Sequence, residues 1–577
     1  MLQTLMSWAW IFVSVYLVGF AVLSLLNGQR QKNDIDVILA FGLCALTVYA
    51  QVFSLFSGVS LGASAVLVLG CMIIAIVFRR ELCRVWRGYL RERRALLTMG
   101  LAAVLLSAAA LVLTRGPMHY DTDLYHAQSI RWIEECGVAP GIGNLHNRLA
   151  YNSSFFCLQA LYSFGFLGKG SLCSLNGFLA AMLLLYGICS VKMFRQKKPF
   201  LSDFLRLGLL LYFVSLENYA VMGSPGTDLM SMGAVMYILI KWLDYWEQGE
   251  REAQCYARLC LLAVYAVTLK LSTAMLVLLA FTPAVWMVRE RRWKEIGKYV
   301  ALGILIALPW LVRNVLISGY LIYPYPELDL FDVDWKMPEY TLLFDRNEIK
   351  AWGWGLNDVY RFDTPAGEWF PFWFGNLKAS LRFLFCIDAV LLPVLFLAGI
   401  GRGLRKKDWC CLQVTGVMGA CLGVWMLGAP LPRYGGAYLL LPLLYGLGET
   451  AVKLGKTDAL KHAFRFTVCV LTAYGVWAWV RFGLASEEWR IHLKRSAVYG
   501  LRECTEHFLE EGVRVYTPVS GDQAGYYDFP STPYGKRLEL IEPRGDSPED
   551  GFRMRPEYRG AYVSTYGDVA EENMFSR

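Results

Sequence analysis

Apolar runs long enough to cross a bilayer as helices recur along almost the whole chain, beginning with Met6 to Leu26, and nothing else in the sequence limits the fold so strongly. About 30 Å of hydrocarbon takes roughly twenty apolar residues in a helix. Lipid offers no partner to a backbone N–H or C=O, so such runs must be helical, and they are too continuous for the alternating strands of a membrane barrel. Composition agrees: 56% of the 577 residues are hydrophobic and 18% charged, with a mean hydropathy of +0.38. That is too apolar for a soluble globular protein. The expected class is an all-α polytopic membrane protein. The first run lacks a basic leader and a small-residue cleavage site, so it reads as a retained span and not a signal peptide.

Charge sets the orientation. Between Arg79 and Arg94 the segment RRELCRVWRGYLRERR has seven arginines against two glutamates, which marks a cytoplasmic loop. Four more basic clusters, Lys192 to Lys198, Arg289 to Lys298, Arg402 to Lys407 and Lys453 to Arg465, are expected on the same face. The spans that satisfy this are 6–26, 37–56, 61–78, 96–114, 172–191, 204–221, 228–245, 257–269, 271–288, 299–317, 382–400, 409–428, 435–452 and 464–483, about 13–14 in all, with both termini outside. Phe155 to Gly168 reads as re-entrant or interfacial, because a full crossing there would put Lys192 to Lys198 on the wrong side. The short span before Lys270 has no polar loop after it, so Lys270 is expected near the tip of a tight outer hairpin.

Three regions follow: N-terminal helices and the basic loop over 1–95, a transmembrane module over 96–484 with outer loops 115–151 and 318–380, and a small soluble tail over 485–577, expected to be partly folded at best. The second outer loop has ten acidic residues against five basic ones. Its Trp335, Trp352, Trp354, Trp369 and Trp373 fit either an interfacial aromatic belt or a cover over a lipid-accessible cavity. The net charge of +8 lies in clusters beside apolar runs, where orientation accounts for it, so no nucleic-acid partner is expected. The fifteen cysteines show no metal-ligand spacing. Cys136 and Cys504 share the predicted outer side, the one condition for a disulfide that sequence can supply. Asn152-Ser-Ser is a formal glycosylation sequon on that side.

The first outer loop opens His119-Tyr120-Asp121-Thr122-Asp123-Leu124-Tyr125-His126. From Leu124 the apolar positions Leu124, Ala127, Ile130 and Ile133 recur at helical spacing, which predicts an amphipathic helix on the membrane surface with the acids at its N-terminus. Asp and Thr there suit helix capping. One acid suffices for a cap, and two carboxylates flanked by two histidines leave a surplus for a general base or a metal ligand. Capping and catalysis both stay open. Lys270, Arg313 and Arg433 fall at outer span ends, where a cation either meets phosphate or snorkels to the interface. Asp228, in Ser-Pro-Gly-Thr-Asp, is a second acid or another cap. His119, His126, Asp121 and Asp123 are the candidate ligands for a divalent metal ion.

The pattern Asp121-Thr-Asp123-Leu-Tyr125 followed by Arg131, together with Pro309-Trp310-Leu-Val-Arg313-Asn314, Gly319, Tyr323-Pro324 and Pro432-Arg433-Tyr434, resembles the GT-C superfamily of polytopic glycosyltransferases, across residues 96 to 480. Thr122 departs from that pattern, which often has Glu after the first Asp, and the second acid here comes one place later. The resemblance implies a GT-C-like multispan fold, a bacterial inner-membrane enzyme of surface-polysaccharide assembly with its site facing outward, and an inverting transfer. Its donor would be a polyprenyl-phosphate-linked sugar, its acceptor an extracytoplasmic glycan, lipid or protein, and its base Asp121. Asp123, Tyr125, His126, Asp228, Lys270, Arg313 and Arg433 would complete the site. Two other readings stand beside it: a polysaccharide polymerase or ligase, and a lipid-linked-glycan transporter or flippase, which should carry ionisable groups at mid-bilayer.

Overall fold

The computed structural model describes residues 1–27, 34–92, 95–168, 170–196, 199–214, 218–454, 458–484, 495 and 497–570. Arg93, Arg94, Lys197, Lys198 and Lys456 of the basic clusters, and parts of the tail, lie outside the described residues.

In chain order the helices are α1 (Leu2–Asn27), α2 (Ile35–Ser54), α3 (Leu61–Val77), α4 (Arg79–Leu90), α5 (Ala95–Leu113), α6 (Ala127–Glu135), α7 (Ile142–Leu145), α8 (Ser154–Leu161), α9 (Leu175–Cys189), α10 (Leu201–Val214), α11 (Asn218–Met222) and α12 (Asp228–Glu247). There follow α13 (Ala253–Leu269), a 3-10 stretch Leu271–Ala280 running into α14 (Phe281–Arg289), α15 (Trp293–Ser318), α16 (Glu339–Gly353), α17 (Ala366–Asn376), α18 (Ala379–Lys406), α19 (Cys410–Leu427), α20 (Pro432–Leu454) and α21 (Asp458–Leu484). Every expected span coincides with helix where it is described; 204–221 takes in α10 and most of α11, and its residues 215–217 lie outside the described residues. Eight of the described helices, counting Leu271–Arg289 as one, are long and apolar enough to cross a membrane, and the pair α3 and α4, bent by 79°, adds a ninth if taken together. The chain is an all-α, multispan integral membrane protein.

The other five expected spans, α9, α10, α12, α13 and α20, are shorter or less apolar, and more than half of the residues in each are buried. A helix surrounded by protein need not satisfy lipid on every face, so polar groups are admitted there. Arg206 of α10 is fully buried and donates to Asp203 at 2.8 Å and to Asp244 of α12. Lys241 of α12 ion-pairs with Asp34 and Asp36, each at 2.9 Å, tying α12 to the start of α2.

The described parts of the five basic clusters gather at one end of the bundle. Arg84 of α4, Lys192 and Arg195 line one cavity together with Asp34. Arg465 donates to the Phe194 carbonyl, and Lys298 to the Leu26 carbonyl at the end of α1. Arg402 pairs with Glu449 at 2.5 Å, and Gly448 next to it packs on Leu201.

The opposite end carries both outer loops and the tail. The tail is folded, contrary to expectation. It contains three antiparallel hairpins, β1 (Cys504–Phe508) with β2 (Arg514–Pro518), β3 (Ile541–Pro543) with β4 (Phe552–Met554), and β5 (Tyr562–Val563) with β6 (Val569–Ala570). Val515, Ile541, Phe552 and Met554 share one core with Trp132, Ile142, Tyr320, Met337 and Leu342 of the two loops. Hairpins this short are marginal alone and hold because the loops complete their core. Gly551, with φ of 85°, lies so close to the Pro140 carbonyl that a Cβ would meet its oxygen at 1.9 Å, which lets Phe552 N–H donate to that oxygen at 3.0 Å.

The loop tryptophans are structural. Trp354 stacks on Trp369 at 4.7 Å, Trp373 donates to the Pro430 carbonyl, Trp335 to that of Val315, and Trp352 lies under Arg148. Of the Phe155 to Gly168 stretch, residues 155–163 are buried, with α8 surrounded by protein, while Phe166 and Leu167 are exposed. Cys136 and Cys504 are free thiols, the latter donating to the Ala524 carbonyl. Asn152 is buried, with its amide donating to Trp310 O and Asn314 Oδ1, which leaves the sequon no access.

Candidate functional site

After α5 the chain leaves the bundle and enters a π-helical turn over Thr122–His126 before α6. Such turns re-aim side chains and are frequent at functional sites. Neither acid caps the turn. Asp121 instead faces Arg433 at the start of α20, Oδ2 to Nη2 at 3.0 Å. Arg433 Nε lies 3.9 Å from Asp228 Oδ2, and Asp228, in the first turn of α12 without a capping bond there, also pairs with Lys270 at the end of α13. Lys270 sits 3.6 Å over the Tyr434 ring, and Arg433 donates to the Tyr434 hydroxyl at 2.9 Å. Four segments far apart in sequence thus build one alternating cluster of two carboxylates and two cations.

The histidines border it. Arg433 Nη1 is 2.7 Å from His119 Nε2, and His119 Nδ1 is 3.8 Å from Asp121 Oδ2. His126 is buried behind them with Nδ1 lacking a partner among the described residues, and Gly226 packs against its ring. The turn that presents Asp228 is held by Asn176, which donates to Ser224 O at 2.6 Å and Gly226 O at 2.8 Å. Ser224 in turn shares a 2.7 Å hydroxyl contact with Thr122. Tyr125 lies edge-on to His126, and burial pushes its phenol well above the ordinary value.

Burial works to raise the Asp121 carboxyl, but charge attraction, the Arg433 guanidinium first, outweighs it and holds the group below its ordinary value. It is ionised at neutral pH. Burial lowers His119 and takes His126 down to about 3, so both imidazoles are neutral there.

Four expectations are corrected. Asp123 points away from this cluster, with Oδ2 accepting from Arg502 Nε at 2.8 Å and Nη2 at 2.6 Å, while its carbonyl accepts from Gly525 N–H. Arg313 is 2% exposed and donates to Asn152 Oδ1, Ser54 Oγ and the Gly137 carbonyl, neutral acceptors that hold it apart from Asp121 and Asp228. The four candidate metal ligands do not fit a metal ion: no three of His119, Asp121, Asp123 and His126 bring donor atoms within 4.8 Å of one another, and arginines already face both aspartates. Nor does α6 lie as a half-exposed surface helix. The tail covers it through Gln128 to Gly525 O and Asp528 O, Arg131 to the Tyr526 hydroxyl, and Trp132 against Phe529.

Sequence reasoning missed Arg502, Tyr434 and Arg148. Tyr434 stood in a quoted motif beside Arg433 but had no distinguishing signal. Arg148 is buried over Trp352 with Nη2 3.7 Å from Glu348, Nε and Nη2 make no hydrogen bond among the described residues, and its charge acts on Asp121. Arg502 lies far along the chain in a region with no motif.

No curated protein and no solved structure matches the chain. A family model does: Domain of unknown function (DUF8201), over residues 1–440, which takes in Asp121, Asp228, Lys270 and Arg433 and stops short of Arg502 and the tail. The chain belongs to the DUF8201 family.

Proposed function

We propose that the chain is a membrane glycosyltransferase of GT-C-like organisation, which moves a sugar from a polyprenyl-phosphate-linked donor to an extracytoplasmic glycan, lipid or protein acceptor. The observation that carries this reading is the convergence of Asp121 with Arg433, Lys270 and Asp228 at the end of the bundle away from the basic clusters. A donor of this kind leaves its reacting carbon at the membrane surface. The acceptor hydroxyl needs a base there, and the departing phosphate needs cations.

In the free protein Arg433 and Lys270 are neutralised by Asp121 and Asp228. A phosphate entering between them competes for the same N–H donors by charge-assisted hydrogen bonds. Release from Arg433 restores proton affinity to the Asp121 carboxylate, so donor binding itself arms the base. The acceptor oxygen then attacks the anomeric carbon as the carbon–phosphate-oxygen bond breaks. The hydroxyl proton passes to Asp121, and the electron pair leaves with the phosphate held by the cations. Nothing covalent forms with the protein, so the transfer inverts. Asp121→Asn is expected to cut sugar transfer from a lipid-linked donor by about 10²–10⁴-fold at normal expression. Unchanged transfer removes the proposed base.

A transporter is the second reading, and one residue favours it. Asp388 of α18 is fully buried inside an apolar helix, with both carboxylate oxygens unpartnered among the described residues. Reconstituted glycolipid movement without sugar transfer, lost in Asp388→Asn, would promote it.

A further inference from the structure

At the other end of α12 lies a cavity of about 1580 Å³ that the transfer chemistry does not use. Asp228 opens α12 and Lys241 comes thirteen residues later, so at about 1.5 Å per residue the two polar stations are roughly 20 Å apart along the helix. None of Asp121, Asp228, Lys270 or Arg433 lines the cavity.

Its walls come from α1, α2, α5, α9 and α12 and are apolar, with Phe12, Leu39, Leu106, Phe178, Met182 and Ile188 among them. Its volume exceeds the roughly 300–1,000 Å³ of ordinary small-molecule pockets. Helix α4 contributes Arg84, Val85, Trp86 and Tyr89 to the lining. It turns 79° from α3, so it runs across the bundle end, and its residues Leu82, Val85, Trp86, Tyr89 and Leu90 repeat at helical spacing opposite the arginines. That is the composition of a helix lying in a lipid–water interface.

Charge supplies the rest. Of the acids lining the cavity, Asp34 and Asp36 are paired with Lys241, and Asp244 with Arg206. Arg84, Lys192 and Arg195 line the cavity and have no ion pair among the described residues. Against these three cations stand Glu81 and Glu92. Basic pockets between membrane helices hold anionic lipid head groups.

We infer that this cavity is a binding site for an anionic glycerophospholipid, with acyl chains between α1, α5 and α9 and its phosphate at Arg84, Lys192 and Arg195. The site is separate from the transfer centre and does not depend on that assignment.

Native mass spectrometry of the full-length protein in detergent tests it, with dioleoylphosphatidylglycerol added alone, against dioleoylphosphatidylcholine of the same chains, and against a long-chain isoprenyl phosphate. Wild type is expected to retain phosphatidylglycerol at least fivefold over phosphatidylcholine, with no displacement by the isoprenyl phosphate. The R84Q/K192Q/R195Q protein should lose that preference. Ala102→Trp, which places an indole among the acyl positions and leaves the cations in place, should retain at least fivefold less of the lipid. Equal retention of the two phospholipids by wild type, a preference that survives in R84Q/K192Q/R195Q, undiminished retention by Ala102→Trp, or displacement by the isoprenyl phosphate each overturns the inference. The two wild-type comparisons decide the matter even if a variant fails to fold.

Discussion

At His126 burial and charge pull in opposite directions, and burial wins. The ring is 4% exposed, its proton affinity falls from 6.5 to about 3, and the attraction of Asp121 recovers only part of the loss. The unfolded chain therefore binds a proton between those two pH values that the folded protein refuses. Stability is complete above pH 6.5 and falls with acid, by up to about 1.4 kcal/mol per pH unit for this one group. Thermal unfolding between pH 6.5 and 5, above the carboxylate range, should show a shallower acid slope in His126→Gln than in wild type. Identical slopes would mean that the ring is not held neutral. Arg502 acts on the neighbouring acid in a different way: it grips Asp123 with two N–H groups while its own side chain is 44% exposed. Solvent screening keeps such a pair modest. A double-mutant cycle of Asp123→Asn and Arg502→Ala should give a coupling of about 0.5–1 kcal/mol in unfolding free energy, and zero coupling would sink the contact. Neither Arg502 nor the fate of Arg313 was legible in the sequence. Both depend on what lies across a fold-level contact: a tail arginine for Asp123, and for Arg313 the neutral acceptors Ser54, Gly137 and Asn152. The aspartate loop, Asp228 and Arg433 were legible because each sits where an apolar run meets a polar stretch, and Lys270 because it is a lone charge between two apolar runs.

The helices themselves follow from run length and charge, and every expected span found its helix. What run length could not supply is the sorting of those spans into lipid-facing helices and the five more buried ones, of which α12, α13 and α20 present Asp228, Lys270 and Arg433. That sorting comes from neighbours, and it explains how α10 keeps Arg206 fully buried. The guanidinium answers Asp203, Asp244, Ser190 and Ser202 at once. Removing it strands two buried carboxylates. Arg206→Met is expected to cost about 3–5 kcal/mol, read as loss of folded protein in a detergent thermal-shift series. Adding Asp203→Asn and Asp244→Asn should recover part of that loss. If the single variant is as stable as wild type, the triad does not bind α10 to α12. The tail defeated sequence reading for a related cause. Its strands are two to five residues long, and half of its core belongs to Trp132, Ile142 and Tyr320, hundreds of residues earlier, so no local periodicity announces it.

Across the whole molecule the polar chemistry divides into two stations at opposite ends of α12, joined by helices that are apolar between them. The basic clusters mark one end and the Asp121 cluster, the loops and the tail mark the other, which is the separation that positive-inside charge produces. Reactive thiols can test it. Cys83 is exposed on α4 at the basic end, and Glu557 is exposed on the tail. Cys386 and Cys469, within α18 and α21, are also exposed on the molecular surface and are replaced by serine in the background used. In intact cells a membrane-impermeant maleimide should therefore label Glu557→Cys and spare Cys83. Opening the membrane should add a Cys83 signal that Cys83→Ser removes. The reverse pattern would turn the Asp121 cluster toward the cytoplasm and end the case for a carrier-linked sugar donor presented on the outer leaflet. Labelling of both sites from outside would contradict the spanning arrangement, because α12 and its neighbours could not then separate the two stations by a bilayer.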